Sequence, residues 1–197
     1  MAVICVFGDS FAVGASDHKK GGWADQLKIH FLKTNDEVVV YNLGIHGNIT
    51  NDLVARFGEI KTRNPDIIIF QIGINDSSCR NNGKNPRTTL EQFEKNIIKL
   101  ISLSKKAKTK QIIFLGISRV IDSMVQPYLY SPNKTHFSNL RIETYDSLLQ
   151  KLCKKNKVQY LETASLLSQS ELKYDGLHPG PKYHKRVYEK VKHLLSL

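Results

Sequence analysis

The sequence predicts an α/β fold built on a mostly parallel sheet, and three observations carry that expectation. Five short apolar runs recur along the 197 residues, each mostly continuous Val, Ile, Leu and Phe rather than alternating with polar positions. Continuous runs of that kind belong to strands covered on both faces, as in parallel sheets. Between them lie stretches with apolar residues at helical spacing, and such alternation favours right-handed crossovers. No internal repeat, low-complexity tract or linker divides the chain, so residues 1–197 are expected to form one domain. A domain of this size buries roughly 70% of its unfolded surface, enough for a complete core.

The expected strands are residues 3–7, 37–42, 66–72, 111–117 and 158–161. After the first, Trp23, Leu27 and Phe31 share one helical face; after the second, Leu53, Val54, Phe57 and Ile60 share another. Phe93, Ile97, Leu100, Ile101 and Ser104 follow Thr88-Thr89-Leu90-Glu91, which has the pattern of a capping box. Leu140, Tyr145, Leu148, Leu149 and Leu152 make a fourth stripe. Tyr183, Val187, Val191 and Leu194 make the last, opened by Pro181 at a first helical position. Two segments, 77–87 and 118–135, fit neither pattern. Both leave the C-terminal ends of expected strands, where open α/β sheets hold their ligands.

Bulk properties narrow the class. Apolar residues at 41% and aromatics at 9% describe a globular chain. No apolar run reaches the roughly 20 residues of a membrane span. The first residues carry no basic stretch or small-residue cleavage site, so the cytoplasm is the expected location. Cys5, Cys79 and Cys153 form no CxxC pair, which favours free thiols over zinc ligation or a disulfide framework. The net charge of +11 comes from lysine clusters on polar helix faces and helix ends. No specific nucleic-acid signature accompanies them, although a mild attraction for anionic substrates follows.

The chemistry-bearing residues gather at the strand ends. The first strand runs into Gly8-Asp9-Ser10, which matches neither phosphate-binding pattern, GxxxxGK[ST] or GxGxxG. Taken alone it reads as well as a turn. The second strand ends in Gly44-Ile45-His46-Gly47-Asn48-Ile49-Thr50, the third in Gly73-Ile74-Asn75-Asp76, and Asp175-Gly176-Leu177-His178 lies near the C-terminus. One sheet edge thus offers a serine, a histidine with an acid three residues earlier, and several amide donors: the parts for acyl transfer through a serine. A serine hydroxyl needs a base, a histidine serves near neutral pH, and the oxyanion needs donors fixed beforehand.

In these four ordered blocks, over residues 3–195, the chain resembles the SGNH/GDSL hydrolase family. The resemblance implies a flavodoxin-like three-layer α/β/α sandwich with a five-stranded sheet and no metal or organic cofactor. It implies Ser10 as nucleophile, Asp175 and His178 as acid and base, and Ser10, Gly47 and Asn75 as oxyanion-hole donors. The implied partner is a small-molecule ester, acetyl ester or thioester; acetylated sugars, lysophospholipids and thioesters all fall within the family's range. Two departures bear on the substrate: Phe11 stands where the family signature has leucine, and Asn48-Ile49-Thr50 where it continues with Asp-Thr or Asp-Ser.

His46, inside the Gly47 block, is a candidate for the pocket wall. So is segment 118–135, with Val120, Ile121, Met124, Val125, Tyr128, Leu129 and Tyr130, stiffened by Pro127 and Pro132. Its middle, with Met124 and Tyr128, is expected to wall an acyl pocket that favours short chains. Two rival readings stay open. One is a catalytically inactive flavodoxin-like ligand-binding module, against which the intact set Ser10, Asn75, Asp175 and His178 weighs. The other is a basic nucleic-acid-associated protein, which steep salt-dependent binding to arbitrary duplexes would favour.

Overall fold

The computed structural model describes residues 1–80, 83–131 and 133–195. Pro132, expected to stiffen the second long loop, and residues 81–82 of the first lie outside the described residues. Along the chain come β1 (Ala2–Gly8), α1 (Ser10–Val13), α2 (Gly22–Thr34), β2 (Val38–Gly44), α3 (Thr50–Ala55), α4 (Gly58–Lys61) and β3 (Ile67–Gln71). A short strand pair follows, β4 (Cys79–Arg80) and β5 (Asn85–Pro86). The chain then continues with α5 (Leu90–Lys106), β6 (Gln111–Leu115), α6 (Asn139–Asn156), β7 (Gln159–Leu161) and α7 (Pro181–Leu195).

The main sheet has five strands in the order β2-β1-β3-β6-β7, and each neighbouring pair is parallel. From β1 the chain steps outward to β2, then returns past β1 to β3 and continues the other way. With right-handed crossovers this reversal puts α2 on one face and α3, α5 and α6 on the other. The helix contacts follow that division: α2 packs on α7, α3 on α5, and α5 on α6. The result is the expected three-layer α/β/α sandwich. The crevice between the C-terminal ends of β1 and β3 is the topological switch point, where such sheets hold ligands.

Burial follows position in the sheet. Ile4 to Phe7 of β1 and Ile68 to Phe70 of β3 are fully buried, because helices cover both faces of these inner strands. On edge strand β2, Val38 and Val40 are buried whereas Tyr41 is exposed, so its apolar run behaves as a half-buried strand. Phe70 stacks on Phe114 across β3 and β6, at 4.6 Å between ring centres. All three cysteines are buried and unbridged, and burial pushes the thiols of Cys5 and Cys153 up to about 11 and about 12.

Several local expectations shift. The single helical face from Leu53 to Ile60 is divided between α3 and α4, with Phe57 heading the second piece. The N-cap of α5 is Thr89, whose hydroxyl accepts from Gln92 N at 3.2 Å. Glu91 turns outward to Lys95 at 2.6 Å instead of closing a box on Thr88. Leu140 lies exposed in the first turn of α6, and Ile142 takes its place in the core. The two irregular segments join each other: Cys79 and His136 exchange backbone hydrogen bonds of 2.8 Å in each direction, and Arg141 Nε donates to Ser77 O at 2.8 Å.

Candidate active site

The opening turn answers to the packing of β1 on β3. A Cβ on Gly8 would stand 2.1 Å from the Gln71 carbonyl oxygen, so no larger residue fits where the two backbones pass. Asp9 then caps α1, accepting from Phe11 N at 3.0 Å through Oδ1. Its carboxyl is fully buried, and burial pushes it up to about 7 against the opposing pull of the Phe11 amide. Ser10 is the first residue of α1. A serine at a strand-end turn is expected to hold its hydroxyl open to solvent, yet Ser10 is only 5% exposed, covered in part by His178.

His178 Nε2 lies 2.9 Å from Ser10 Oγ, across 168 positions of chain. Its Nδ1 lies 2.6 Å from Asp175 Oδ2. Asp175 Oδ1 accepts from two backbone amides, Leu177 N at 2.9 Å and His178 N at 2.7 Å. Burial pushes the Asp175 carboxyl up, but the ring and backbone hydrogen bonds of His178 outweigh it and hold it down at about 2. The carboxylate therefore stays charged across the physiological range. Phe11 packs on the His178 ring at 5.9 Å and edge-on to Tyr183 at 6.5 Å, so this departure from the family signature serves as packing for His178.

The candidate amide donors lie in the loops after β2 and β3. Gly47 sits in the loop after β2, and the direction a side chain would take from it meets nothing within 4 Å. Asn75 follows β3, and its Nδ2 donates to Asn48 O at 3.0 Å and faces Asp9 Oδ2 at 3.5 Å. The two loops are tied through Asp76, whose carboxylate accepts from Thr50 N at 3.1 Å and Thr50 Oγ1 at 2.6 Å. Asp76 is completely buried, and burial pushes its carboxyl up. Arg87 spans both donor residues: Nη2 donates to Gly47 O at 2.8 Å and Nη1 to Asn75 Oδ1 at 3.4 Å. With Oδ1 facing a cation, the Asn75 amide is oriented with its NH2 toward Asn48 and Asp9. The sequence holds no signal for Arg87, because nothing in segment 77–87 announces which loop it will meet.

His46 is exposed beside Gly47; burial and the neighbouring His178 both lower its basicity, so it stands near the site at the surface. Segment 118–135 divides between the core and the turn that carries Asp175. Val120 and Val125 are core residues. Met124 packs under the acid's turn, its Cβ 2.5 Å from where a side chain on Gly176 would begin. Tyr128 donates its hydroxyl to Asp175 Oδ2 at 2.9 Å. The middle of this loop therefore meets Asp175, Gly176 and His178 directly. Among the described residues no group of His, Cys, Asp and Glu is arranged to hold a metal ion, and no helix is long and apolar enough to cross a membrane.

Known proteins give this geometry its context. The sequence pattern of the family described as GDSL-like Lipase/Acylhydrolase matches residues 6–186. The chain belongs to that family. It is accordingly an ester hydrolase by class. An arylesterase of Vibrio mimicus is 26% identical over 200 residues, covering 97% of this chain and 89% of its own length. The uncharacterized lipoprotein YqeF of Bacillus subtilis (strain 168) is 30% identical over 118 residues, 58% of this chain; the match spans only 48% of that lipoprotein. Among solved structures, the acetylxylan esterase Axe2 of Geobacillus stearothermophilus superposes with a TM-score of 0.71 at 19% identity, covering 100% of this chain and 94% of that one. LAE5, an alpha/beta hydrolase enzyme from the metagenome of Lake Arreo, gives 0.72 at 19% identity over 98% and 94%. The GDSL hydrolase and its structural relatives thus share the SGNH hydrolase fold.

Proposed function

We propose that this GDSL hydrolase cleaves a small acyl ester, acetyl ester or thioester through a covalent intermediate on Ser10. The observation that carries this reading is the unbroken line from Ser10 Oγ to His178 Nε2 (2.9 Å) and from His178 Nδ1 to Asp175 Oδ2 (2.6 Å). His178 takes the hydroxyl proton as Ser10 Oγ bonds to the acyl carbon, and Asp175 stabilises the imidazolium without itself taking the proton. The tetrahedral oxyanion lies against the Ser10 and Gly47 amides and against the Asn75 NH2, where it replaces the long 3.5 Å contact to Asp9 Oδ2. Collapse breaks the bond to the leaving oxygen or sulfur, which receives the proton from His178. Water then attacks the acyl-Ser10 ester with His178 again as base, releasing the acid and restoring the hydroxyl.

The reading is tested by a fluorophosphonate probe and by mass spectrometry of enzyme quenched during ester turnover. Both adducts are expected on Ser10 and absent from Ser10→Ala. Turnover without any adduct on Ser10, or an adduct that persists in the alanine variant, would overturn the assignment. An acyl panel from acetyl to decanoyl, presented as oxygen esters and thioesters, then ranks the substrate class.

A further inference from the structure

We infer that Tyr128 is a positioning residue that tunes the basicity of His178 through the Asp175 carboxylate; the inference rests on the roles proposed above. Asp175 Oδ2 receives two donors at once, His178 Nδ1 at 2.6 Å and the Tyr128 hydroxyl at 2.9 Å. Asp175 Oδ1 takes the two backbone amides already described. Four donors on one carboxylate leave it no room to turn, and each disperses part of the charge that His178 would otherwise feel.

The phenol is fixed for this task. Its ring stands edge-on to Phe137 at 5.9 Å and edge-on to the His178 ring at 6.3 Å, while Tyr128 N donates to Thr135 O at 2.7 Å. The hydroxyl also lies 3.5 Å from His178 Nδ1, but that nitrogen is engaged by Asp175, so the carboxylate is the phenol's acceptor. Burial, and then the negative charge of Asp175, push the Tyr128 phenol up, which keeps it a donor across the physiological range.

A donor on Oδ2 competes with His178 for the same oxygen. Removing it concentrates the carboxylate charge on the imidazolium, which raises the basicity of His178. The other titratable groups near this line are Asp9 beside Ser10, His46 beside Gly47 and His184 on α7, the two histidines feeling His178, and Tyr130 and Tyr174, which feel Tyr128. The side-chain donors that meet Asp175 among the described residues are His178 and Tyr128, so the phenol hydroxyl is the element of this shell that a single atom change can remove.

The experiment is the pH profile of kcat/KM for Tyr128→Phe, which keeps the ring against Phe137. Its acid limb is expected to move upward by roughly 0.3 to 1 pH unit, with a plateau kcat within about tenfold of wild type. The His178 Nδ1 proton should move downfield in the NMR spectrum as its bond to Oδ2 strengthens. Replacement of Tyr128 by 3,5-difluorotyrosine makes a stronger donor and should move the limb the opposite way, which keeps the test decisive if the phenylalanine variant folds poorly. A limb within about 0.1 unit of wild type in both proteins would overturn the inference. Fluorophosphonate labelling of Ser10 in the same samples separates the two failures: labelled enzyme with an unmoved limb refutes only the role of Tyr128, whereas unlabelled wild type refutes the hydrolytic mechanism.

Discussion

The two sides of the active site are built in opposite ways. The acid–base side is short in sequence and dense in contacts. Asp175 and His178 are three residues apart, and one carboxylate is met by two backbone amides, a ring nitrogen and a phenol. The donor side is assembled from loops after β2 and β3 and from Arg87 beyond them, joined by Asp76 and by a guanidinium. A base must keep one orientation while its charge changes, and saturation of its partner achieves that. The proposed oxyanion donors are instead held through their carbonyl oxygens, by Arg87 at Gly47 O and at Asn75 Oδ1.

Breaking the line that joins the two sides should have the largest effect. Ser10→Ala is expected to lower kcat by roughly four to six orders of magnitude. The native fold should survive, because only one oxygen leaves a site whose backbone is fixed by β1 and α1. Thermal unfolding and steady-state rates measured together check both halves; a fully active Ser10→Ala protein would end the comparison.

Next comes the donor side. Asn75→Ala should cost about two to three orders of magnitude in kcat with little change in KM, since the donor acts on charge that appears only in the transition state. A loss confined to KM would make Asn75 a ground-state contact. Arg87→Gln should have a smaller effect of the same kind, roughly ten- to thirtyfold in kcat, because it releases the Asn75 and Gly47 carbonyls without removing either donor. Guanidinium added to Arg87→Ala should restore part of the rate. If KM alone responds, Arg87 holds substrate rather than the donors.

The last effect falls on stability and not on rate, at the residue between the two sides. Folded Asp9 titrates at about 7, whereas an unfolded aspartate titrates near 3.9. Between those values the folded chain keeps a proton that the unfolded chain has released. Stability contributed by Asp9 is therefore complete below about pH 4 and lost as pH rises toward 7, with a slope of at most about 1.4 kcal/mol per pH unit. Urea unfolding across this window should show that decline, and Asp9→Asn should flatten it while keeping the cap on Phe11 N. An equally steep decline in the variant would assign the slope to another group.

The same contrast separates what is legible in the sequence from what is not. Buried parallel strands announce themselves because burial on both faces forces continuous apolar runs, and β1 and β3 lie close to their expected limits. Asp175 and His178 are legible as a pair because their contact is local. Gly8 carries a signal too, since only the smallest residue tolerates the Gln71 carbonyl at that distance. The cap of α5 sits one residue later than its capping-box pattern suggests. Thr88-Glu91 and Thr89-Gln92 have the same spacing, and only the geometry of the turn chooses between them.

Local structure was thus determined by the sequence itself: the strand cores, the helix faces, the turn at Ser10 and the Asp175–His178 pair. Tertiary structure decided the rest. That Arg87 reaches Gly47 and Asn75, that Asp76 locks Thr50, and that the Tyr128 hydroxyl reaches Asp175 are all long-range outcomes. A tyrosine in an apolar loop looks the same in sequence whether its ring covers a ligand or its hydroxyl seeks a carboxylate. Here the 118–135 loop is drawn inward at Val120 and Val125 and paired to segment 77–87 through His136 and Cys79. Once those anchors are buried, the Tyr128 hydroxyl has to find a partner within reach, and the charged oxygen of Asp175 is the strongest acceptor beside it.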